Sequence, residues 1–320
     1  MINLKLIDIY HLAVQLGIEN DPRDSEMVER TMRLAKEEFQ DLKEERKKEF
    51  DQDKLENPYA DTRILVGEDD QEIKGILAGI DMEVGEILLA DRLREKGQVI
   101  DLILSHHPEG KALARLSEVM KLQEDLLCKW GLPISVAEGI MTKRIKEVDQ
   151  GLWPINHNRA VDAAKLLGFA FMSTHTPTDN LVTTFLQKYI DEKKPETLKD
   201  VVEAIKVIPE FSQALETNAG PKILLGTEKS RTGKIVVDMT GGTSGSEEAY
   251  AKLSQAGIST LIVMHMGEKH RKLAEENNIN VIVAGHMASD SLGMNLLLDG
   301  LEARGIEIFT CSGLIRVSRN

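Results

Sequence analysis

Short apolar runs rich in β-branched residues alternate with helix-length amphipathic stretches from Asp61 to the end of the chain. The strand-like runs lie at 63–67, 75–80, 99–104, 235–237, 260–264, 280–284 and 306–309. Helical patterns fill several of the intervals, including 84–97 and 246–256. Strands that alternate with helices favour β-α-β units, in which helices cover a largely parallel sheet. The alternation therefore predicts an α/β fold.

Residues 1–60 differ from this pattern and have helical periodicity throughout. Apolar residues recur at helical spacing up to Leu16, and Gly17 then predicts the end of a first helix. A second helix is predicted to begin near Asp24 or Ser25, either of which can cap it. The chain is therefore predicted to comprise a helical arm at 1–60, a first α/β unit at 61–182, a helical connector or insertion at 183–221 and a second α/β unit at 222–320.

The two α/β units echo each other in the placement of polar residues at strand ends. Asp81 ends one run and His106 follows the next, 25 positions later, while Asp238 and His265 are separated by 27 positions in the second unit. This repetition indicates either a duplication or the common recurrence of β-α-β units in α/β proteins. Asp81 and Asp238 themselves are predicted to be structural caps at strand ends.

Composition and charge exclude several classes of function. The 320 residues carry a formal net charge of −13, which repels phosphate backbones and disfavours nucleic-acid binding. The two cysteines, Cys128 and Cys311, form neither a metal-binding pair nor a disulfide framework. Charged residues interrupt the N-terminal run too early for a signal sequence, and no apolar run reaches the roughly 18 residues of a membrane span. We therefore expect a cytoplasmic protein with no membrane partner.

Three polar motifs each follow an apolar run directly. They are Ser105-His106-His107-Pro108, His175-Thr-Pro-Thr-Asp179 and Gly285-His286-Met-Ala-Ser-Asp290. Ligands of open α/β sheets bind at the carboxyl ends of the strands, so these side chains are predicted to converge there. Imidazole and carboxylate ligands suit Zn, Fe, Mn, Co or Ni, so the ligand types do not determine which of these metals binds. The motifs predict a divalent-metal site with the ligands His106, His107, Asp179, His286 and Asp290.

Each motif taken alone also has an ordinary structural interpretation. The adjacent histidines can be a packed polar pair, and Asp179 can form an Asx turn or cap a helix. His286 and Asp290 can be a helix pair worth ~0.3 kcal/mol. The occurrence of all three motifs at the ends of apolar runs favours the metal site over these alternatives.

Two further residues are candidates for proton transfer. His175 is predicted to carry a proton or to support a ligand, and Glu268 is a candidate general base. A helix start, where the helix dipole favours an acidic side chain, is the alternative role of Glu268. The glycine-rich turn at 240–246 can hold an anion, but it lacks the lysine of a P-loop, so a tight turn is the simpler interpretation.

Together the motifs resemble those of the NGG-interacting-factor-three-like proteins, also known as the GTP cyclohydrolase I type two family. In that family one strand ends in His-His, a later segment has the pattern His-Thr-x-x-Asp, and Gly-His-x-x-Ser-Glu lies near the C-terminus. The stretch from His265 to Glu268 is similar to the family's Thr-Gly-Glu segment. The similarity covers about residues 61–182 and 222–318. It implies two intertwined α/β units, often assembled as a toroidal homohexamer with sites that face an inner cavity.

The resemblance also implies how two divalent ions are shared among the ligands. His107 and Asp179 would hold one ion, His106 and His286 the other, and Asp290 would bridge both. Asp290 stands where the family has a glutamate, so a different bridging geometry or metal spacing is expected. Further departures are residues 1–60 and a longer segment between His107 and His175.

Two functions are compatible with these features. The first is a dinuclear metal-dependent hydrolase for a small-molecule substrate, such as a nucleotide or a pterin-like ring, as the family name implies. The alternative is a non-catalytic, metal-binding regulatory or scaffold ring that engages protein partners, with the helical arm as a candidate surface.

Overall fold

The computed structural model describes residues 4–320 and contains eleven strands and fifteen α-helices in that range. The strands are β1 (Leu4–Lys5), β2 (Arg63–Val66), β3 (Glu72–Ile73), β4 (Gly75–Gly79), β5 (Leu102–Ser105), β6 (Ala170–Ser173), β7 (Lys222–Leu225), β8 (Lys234–Asp238), β9 (Ile258–Val263), β10 (Asn280–Val283) and β11 (Glu307–Cys311). The helices are α1 (Leu6–Glu19), α2 (Ser25–Asp41), α3 (Glu44–Lys47), α4 (Val84–Glu95), α5 (Gly110–Ala114), α6 (Leu116–Val119), α7 (Leu122–Trp130), α8 (Ile134–Leu152), α9 (Arg159–Leu167), α10 (Thr176–Lys193), α11 (Leu198–Lys206), α12 (Pro209–Ala214), α13 (Ala249–Gln255), α14 (Glu268–Glu276) and α15 (His286–Glu302). Two short 3-10 helices lie at Gln52–Leu55 and Leu215–Thr217.

Two mixed sheets form the centre of the molecule, which confirms the predicted α/β class. The first has the order β11-β4-β5-β6-β2, with only β2 antiparallel to its neighbour. The second has the order β7-β10-β9-β8, with only β7 antiparallel. Strands β4, β5 and β6 are buried along their whole length, as expected for parallel strands covered on both faces.

The repetition seen in the sequence extends to a third parallel strand in each unit. In both units three neighbouring parallel strands follow one another along the chain, namely β4, β5 and β6, and then β8, β9 and β10. The third strand of each set runs into a long helix, α10 or α15, and these two helices pack against each other. A Cβ atom on Gly293 would lie 2.2 Å from the carbonyl oxygen of Thr178, so the crossing requires glycine there. The crossing joins the two units.

The N-terminal segment does not form a single arm. Helix α1 packs against α10, and its apolar side chains, such as Ile9 and Ala13, lie in the main hydrophobic core with strands of the first sheet. The predicted helix end at Gly17 is wrong, because α1 continues to Glu19. Gly17 instead permits a close approach, since a Cβ atom there would lie 2.8 Å from the Cα of Pro177. Helix α2 begins at Ser25 as predicted, and Val28 is its one buried residue.

The predicted boundary between residues 182 and 183 falls inside α10, because this helix serves both units. Side chains of α10 lie in one apolar cluster with α11, α12, α15 and strands of the second sheet. The helical connector at 183–221 therefore packs into the core of the second unit. The other domain boundaries stay predictions. Every helix among the described residues is too short or too polar to span a lipid bilayer.

Candidate metal centre

The carboxyl ends of the parallel strands in both sheets open onto one cavity of about 400 Å³. Residues that follow β5 and β6 line it from the first unit, including His107 and His175. Residues that follow β9 and β10 line it from the second unit, including His265 and His286. This placement agrees with the expectation that ligands bind at the carboxyl ends of strands in open α/β sheets.

All five predicted metal ligands lie together, and four of them line this cavity. The Nε2 atom of His106 is 3.5 Å from Oδ1 of Asp179 and 3.5 Å from Oδ1 of Asp290. The other carboxylate oxygen of Asp290, Oδ2, is 3.6 Å from Nε2 of His107 and 3.4 Å from Nε2 of His286. Asp290 is therefore central to the cluster: its Oδ1 lies near His106, and its Oδ2 lies near His107 and His286.

The spacing and the unsatisfied atoms of this cluster fit a divalent cation. The buried atoms His106 Nε2, Asp179 Oδ1 and both carboxylate oxygens of Asp290 have no hydrogen-bond partner among residues 4–320. Unpaired buried polar atoms are costly, so their convergence requires an explanation. Two ligands that are each about 2.1 Å from a tetrahedral ion lie roughly 3.4 Å apart. The observed separations are too long for hydrogen bonds and match ligands arranged around a cation.

The ligand atoms fall into groups that differ from those implied by the resemblance. His106, Asp179 and Asp290 form one group, and His107, His286 and Asp290 form another, with the atoms of each within 4.8 Å of one another. The resemblance implied that Asp179 pairs with His107 and His286 with His106. The structure instead places Asp179 beside His106 and His286 beside His107. Asp290 belongs to both groups even though its side chain is one methylene shorter than glutamate.

Two hydrogen bonds fix which ring nitrogen of His106 and His107 is free. The Nδ1 atom of His106 lies 2.9 Å from Oγ1 of Thr178, and this hydroxyl already donates to the carbonyls of Thr174 and His175. His106 must therefore donate from Nδ1, which leaves Nε2 as a lone-pair donor. The Nδ1 atom of His107 lies 2.6 Å from Oδ1 of Asp81, so its Nε2 is free in the same way. Such hydrogen bonds typically orient histidines that bind metals.

His175 is anchored by Asp61, a residue that the sequence analysis did not single out. Its Nδ1 atom lies 2.8 Å from Oδ2 of Asp61, which also accepts a hydrogen bond from the hydroxyl of Thr176 at 2.7 Å. The Nε2 atom of His175 is 3.7 Å from Oδ2 of Asp179, and it groups with the ring nitrogens of His106 and His107 within 4.8 Å. No local pattern connects Asp61 with His175, because 114 positions separate them.

The fold and this cluster can be compared with known proteins. No protein-family model matches the sequence, and no curated protein sequence does so either. A solved structure of a NIF3 superfamily protein from Sphaerobacter thermophilus superposes with a TM-score of 0.69 and 27% sequence identity, over 80% of this chain and 92% of that one. The chain is therefore similar to proteins of the NIF3 superfamily. Reduced HcgD from Methanocaldococcus jannaschii shares the fold, with a TM-score of 0.50 and 16% identity over 77% of this chain and 87% of that one.

The electrostatics of this NIF3-like chain favour the protonation states that metal ligands need at His106 and Asp290, whereas burial raises the pKa of Asp179. Burial lowers the pKa of His106 to about 4, so its imidazole is neutral at pH 7. Burial also acts to raise the pKa of Asp290, but the surrounding histidines outweigh it and lower that pKa below its usual value. Neutral imidazole and ionised carboxylate are the forms that bind metal ions.

His175 has the opposite electrostatic character. Burial disfavours its charge, but the carboxyl groups of Asp179 and Asp61 outweigh this and raise its pKa to about 9. The imidazole of His175 therefore holds a second proton at neutral pH. This difference distinguishes it from His106, although the two rings are only 4.9 Å apart.

Glu268 does not lie in the cluster and does not line the cavity. It is the first residue of α14, it is exposed, and its carboxylate accepts a hydrogen bond from Nε of Arg271 at 2.8 Å. The bond with Arg271 lowers its pKa to about 2. This position agrees with the alternative prediction for Glu268, a helix start. The dipole of α14 favours an acidic side chain there.

The glycine-rich turn at 240–246 lines the cavity on the side of the second sheet. Gly241 and Gly242 have φ values of +96° and +88°, which other residues rarely adopt. The amide of Gln123 donates hydrogen bonds to the carbonyls of Gly241 at 2.6 Å and Thr243 at 2.7 Å. These contacts are those of a tight turn held in place by α7.

Proposed function

We propose that this NIF3-like chain is a dinuclear metal-dependent hydrolase that acts on a small molecule. The observation that supports it is the group of unpartnered nitrogen and oxygen atoms around Asp290, spaced for cations rather than for hydrogen bonds. In the proposal His106, Asp179 and Asp290 hold one divalent ion. His107, His286 and Asp290 hold the other, which makes Asp290 the bridging ligand.

When bound, such ions supply Lewis-acid activation and a water of lowered pKa. The protein supplies the position of the ligands and a group that transfers protons. His175 keeps one proton on Nδ1, where Asp61 accepts it, and its ring lines the cavity. In the proposal, His175 Nε2 exchanges a proton with the substrate, and Asp61 holds the ring in the orientation that this exchange requires.

The cavity supports a small-molecule substrate. Its volume of about 400 Å³ lies in the usual range for small-molecule sites. The net charge of −13 disfavours a nucleic-acid polymer. In the proposal the reaction is hydrolysis of a ring in a nucleotide or a pterin-like compound, as the family name suggests.

We also propose that the chain assembles as a homohexamer, as the family resemblance implied. Trp153 and Leu166 are 70% and 86% exposed, and in the proposal a subunit interface covers such side chains. Light scattering coupled to size-exclusion chromatography measures the assembly directly. A monomeric mass at micromolar concentration would contradict this part of the proposal.

Metal analysis of the purified protein tests the proposed centre. We expect elemental mass spectrometry to find two ions per chain in the wild type, one in His107→Ala and fewer than one in Asp290→Ala. The control is His11→Ala, which removes an exposed histidine of α1 and should retain both ions. A wild-type protein that binds no metal after reconstitution with Zn, Mn or Fe(II) would contradict the proposed centre.

Turnover then tests the hydrolase. The metal-loaded wild type, but not Asp290→Ala, is expected to hydrolyse at least one member of a panel of nucleotides and pterins. Metal binding without turnover of any panel member would instead favour the non-catalytic regulatory or scaffold ring.

A further inference from the structure

Asp238 carries a carboxylate that the protein itself leaves unpaired. It is the last residue of β8 and lines both the main cavity and a side pocket of about 40 Å³. No backbone or side-chain group among residues 4–320 donates a hydrogen bond to its carboxylate or forms an ion pair with it. Asp81, two residues after the end of β4 in the first sheet, has His107 as its partner. The second sheet therefore also carries an aspartate at this edge, but without such a contact.

Apolar surroundings make the ionised form of the Asp238 carboxyl less favourable. Apolar side chains of α7, α13 and β9, among them Leu126, Leu253 and Leu261, line the side pocket. The hydroxyl of Tyr250, which lines the same pocket, is hydrogen-bonded to Nδ1 of His270 at 3.0 Å. Burial raises the pKa of Asp238 to about 6, and no nearby cation opposes that effect. The side chain is half-buried and faces the cavity, so a ligand in the cavity can reach this carboxylate and pair with it.

The chemistry of the pocket restricts the kind of ligand. The groups of metal-binding residues found in the described chain all belong to the cluster around Asp290, so Asp238 has no companions for an ion of its own. An anion would be repelled by the carboxylate. What remains is a group that donates N–H hydrogen bonds, and a carboxylate binds two parallel N–H groups best because its two oxygens accept them together.

We propose that Asp238 is a specificity residue that binds an amidine- or guanidine-type N–H edge of the substrate. The rest of the substrate extends through the same cavity to the His/Asp cluster, whose residues also line it. This inference rests on the proposed function, because it assigns the substrate's orientation in the site of hydrolysis. Tyr250 and His270, held together by their hydrogen bond, form the wall beside the bound edge.

A pair of probes of equal shape tests this assignment. Benzamidine presents two N–H donors on one edge, whereas benzamide replaces one of them with a carbonyl oxygen that a carboxylate repels. Binding is measured by ligand-observed NMR on metal-loaded wild type, Asp238→Asn and Asp162→Asn, which changes an exposed aspartate of α9. We expect the wild type and Asp162→Asn to prefer benzamidine by about tenfold or more, and Asp238→Asn to lose the preference. Equal binding of the two probes to the wild type, or an unchanged preference in Asp238→Asn, would overturn the inference.

Two further measurements separate this inference from the proposed function. Asp238→Asn is expected to keep the metal content of the wild type, because Asp238 belongs to neither ligand group. A benzamidine preference that depends on Asp238, in a protein without turnover, would retain the specificity residue and reject the hydrolase. Turnover in a protein that does not distinguish the probes would retain the hydrolase and reject the role of Asp238.

Discussion

Each anchored histidine of the centre gives one ring nitrogen to the protein and presents the other to the cluster. Thr178, Asp81 and Asp61 accept the Nδ1–H groups of His106, His107 and His175. The rings are therefore oriented before any ion binds, which reduces the entropy lost on binding. These acceptors differ in accessibility, since Asp61 is fully buried whereas Asp81 is exposed, so Asp81 can be changed with the least risk to folding.

Replacement of Asp81 should weaken one of the two proposed metal sites. In Asp81→Asn the neutral amide accepts a weaker hydrogen bond from His107, so we expect the ion held by His107 to bind about 10–100-fold more weakly. Titration against a competing fluorescent chelator measures this change, and the ion held by His106 should be unaffected. Asp162→Asn serves as the control. An Asp81→Asn protein with two unchanged affinities would show that this hydrogen bond does not orient His107.

Asp238 should give the metal-free protein a defined pH dependence of stability. Its folded-state pKa of about 6 lies above the usual value of a carboxyl group, so the folded protein binds this proton more tightly than the unfolded chain. The contribution of Asp238 to stability is complete below pH 4 and is lost as the pH rises through 6. We expect Asp238→Asn to exceed the wild type in unfolding free energy by on the order of 1–2 kcal/mol at pH 7.

Urea unfolding of both proteins in the presence of a chelator, from pH 4 to pH 8, measures this difference. The two stabilities should converge towards pH 4, where the wild-type carboxyl is protonated in both states. A difference that does not vary with pH would mean that the folded protein does not perturb Asp238.

At the scale of elements, helices α10 and α15 position both carboxylates of the cluster. Each helix follows the third strand of its sheet, and each carries a histidine at its start with an aspartate four residues later. Residues four apart share one face of a helix, so each helix directs this pair towards the cavity. The crossing of the two helices at Thr178 and Gly293 then brings the two pairs together.

Substitution at this crossing should damage both stability and metal binding. In Gly293→Ala the added Cβ would lie 2.2 Å from the carbonyl oxygen of Thr178, so the helices must separate. We expect a loss of about 1–3 kcal/mol in unfolding free energy and weaker metal binding. Gly300→Ala in the same helix is the matched control, since its Cβ would meet the flexible end of Arg304 at 3.4 Å and the side chain of Leu12 at 4.0 Å, both ordinary contacts.

The control should be neutral or stabilising by about 0.5–1 kcal/mol, because alanine favours a helix interior over glycine. Urea unfolding and metal analysis of both variants provide the comparison. Equal stability of the two variants would show that the crossing tolerates a side chain.

At the scale of the whole molecule, the centre lies between two sheets that are distant in the sequence. The first unit contributes His106, His107 and Asp179, and the second contributes His286 and Asp290. Ions held by both units would therefore stabilise their relative placement in the folded chain and would have no equivalent site in the unfolded chain.

Removal of metal should accordingly lower the melting temperature. At a free metal concentration a thousand times Kd, each bound ion stabilises the fold by about 4 kcal/mol. Calorimetry with and without EDTA measures the effect, and the difference should shrink in Asp290→Ala. A wild-type melting temperature that EDTA leaves unchanged would contradict a metal centre shared between the units.

Local features of the sequence were sufficient to predict the α/β class and the candidate ligands. Hydrophobic periodicity identified most strands, and a strand end is a local event, so residues directly after an apolar run could be assigned to the cavity edge. The motif of His106 and His107 and that of His286 and Asp290 were found in this way. Gly17 was misinterpreted because a glycine at a helix end and a glycine at a close packing contact have the same local signature.

Only the tertiary structure decided how these residues combine. The pairing of His106 with Asp179 depends on how α10 packs beside β5. The hydrogen bond by which Asp61 orients His175 joins residues that are 114 positions apart. The burial of α1, the outward position of Glu268 and the unpaired carboxylate of Asp238 depend in the same way on which surfaces pack together. Periodicity describes which face of an element is apolar, whereas the distances between side chains on different elements are determined by packing.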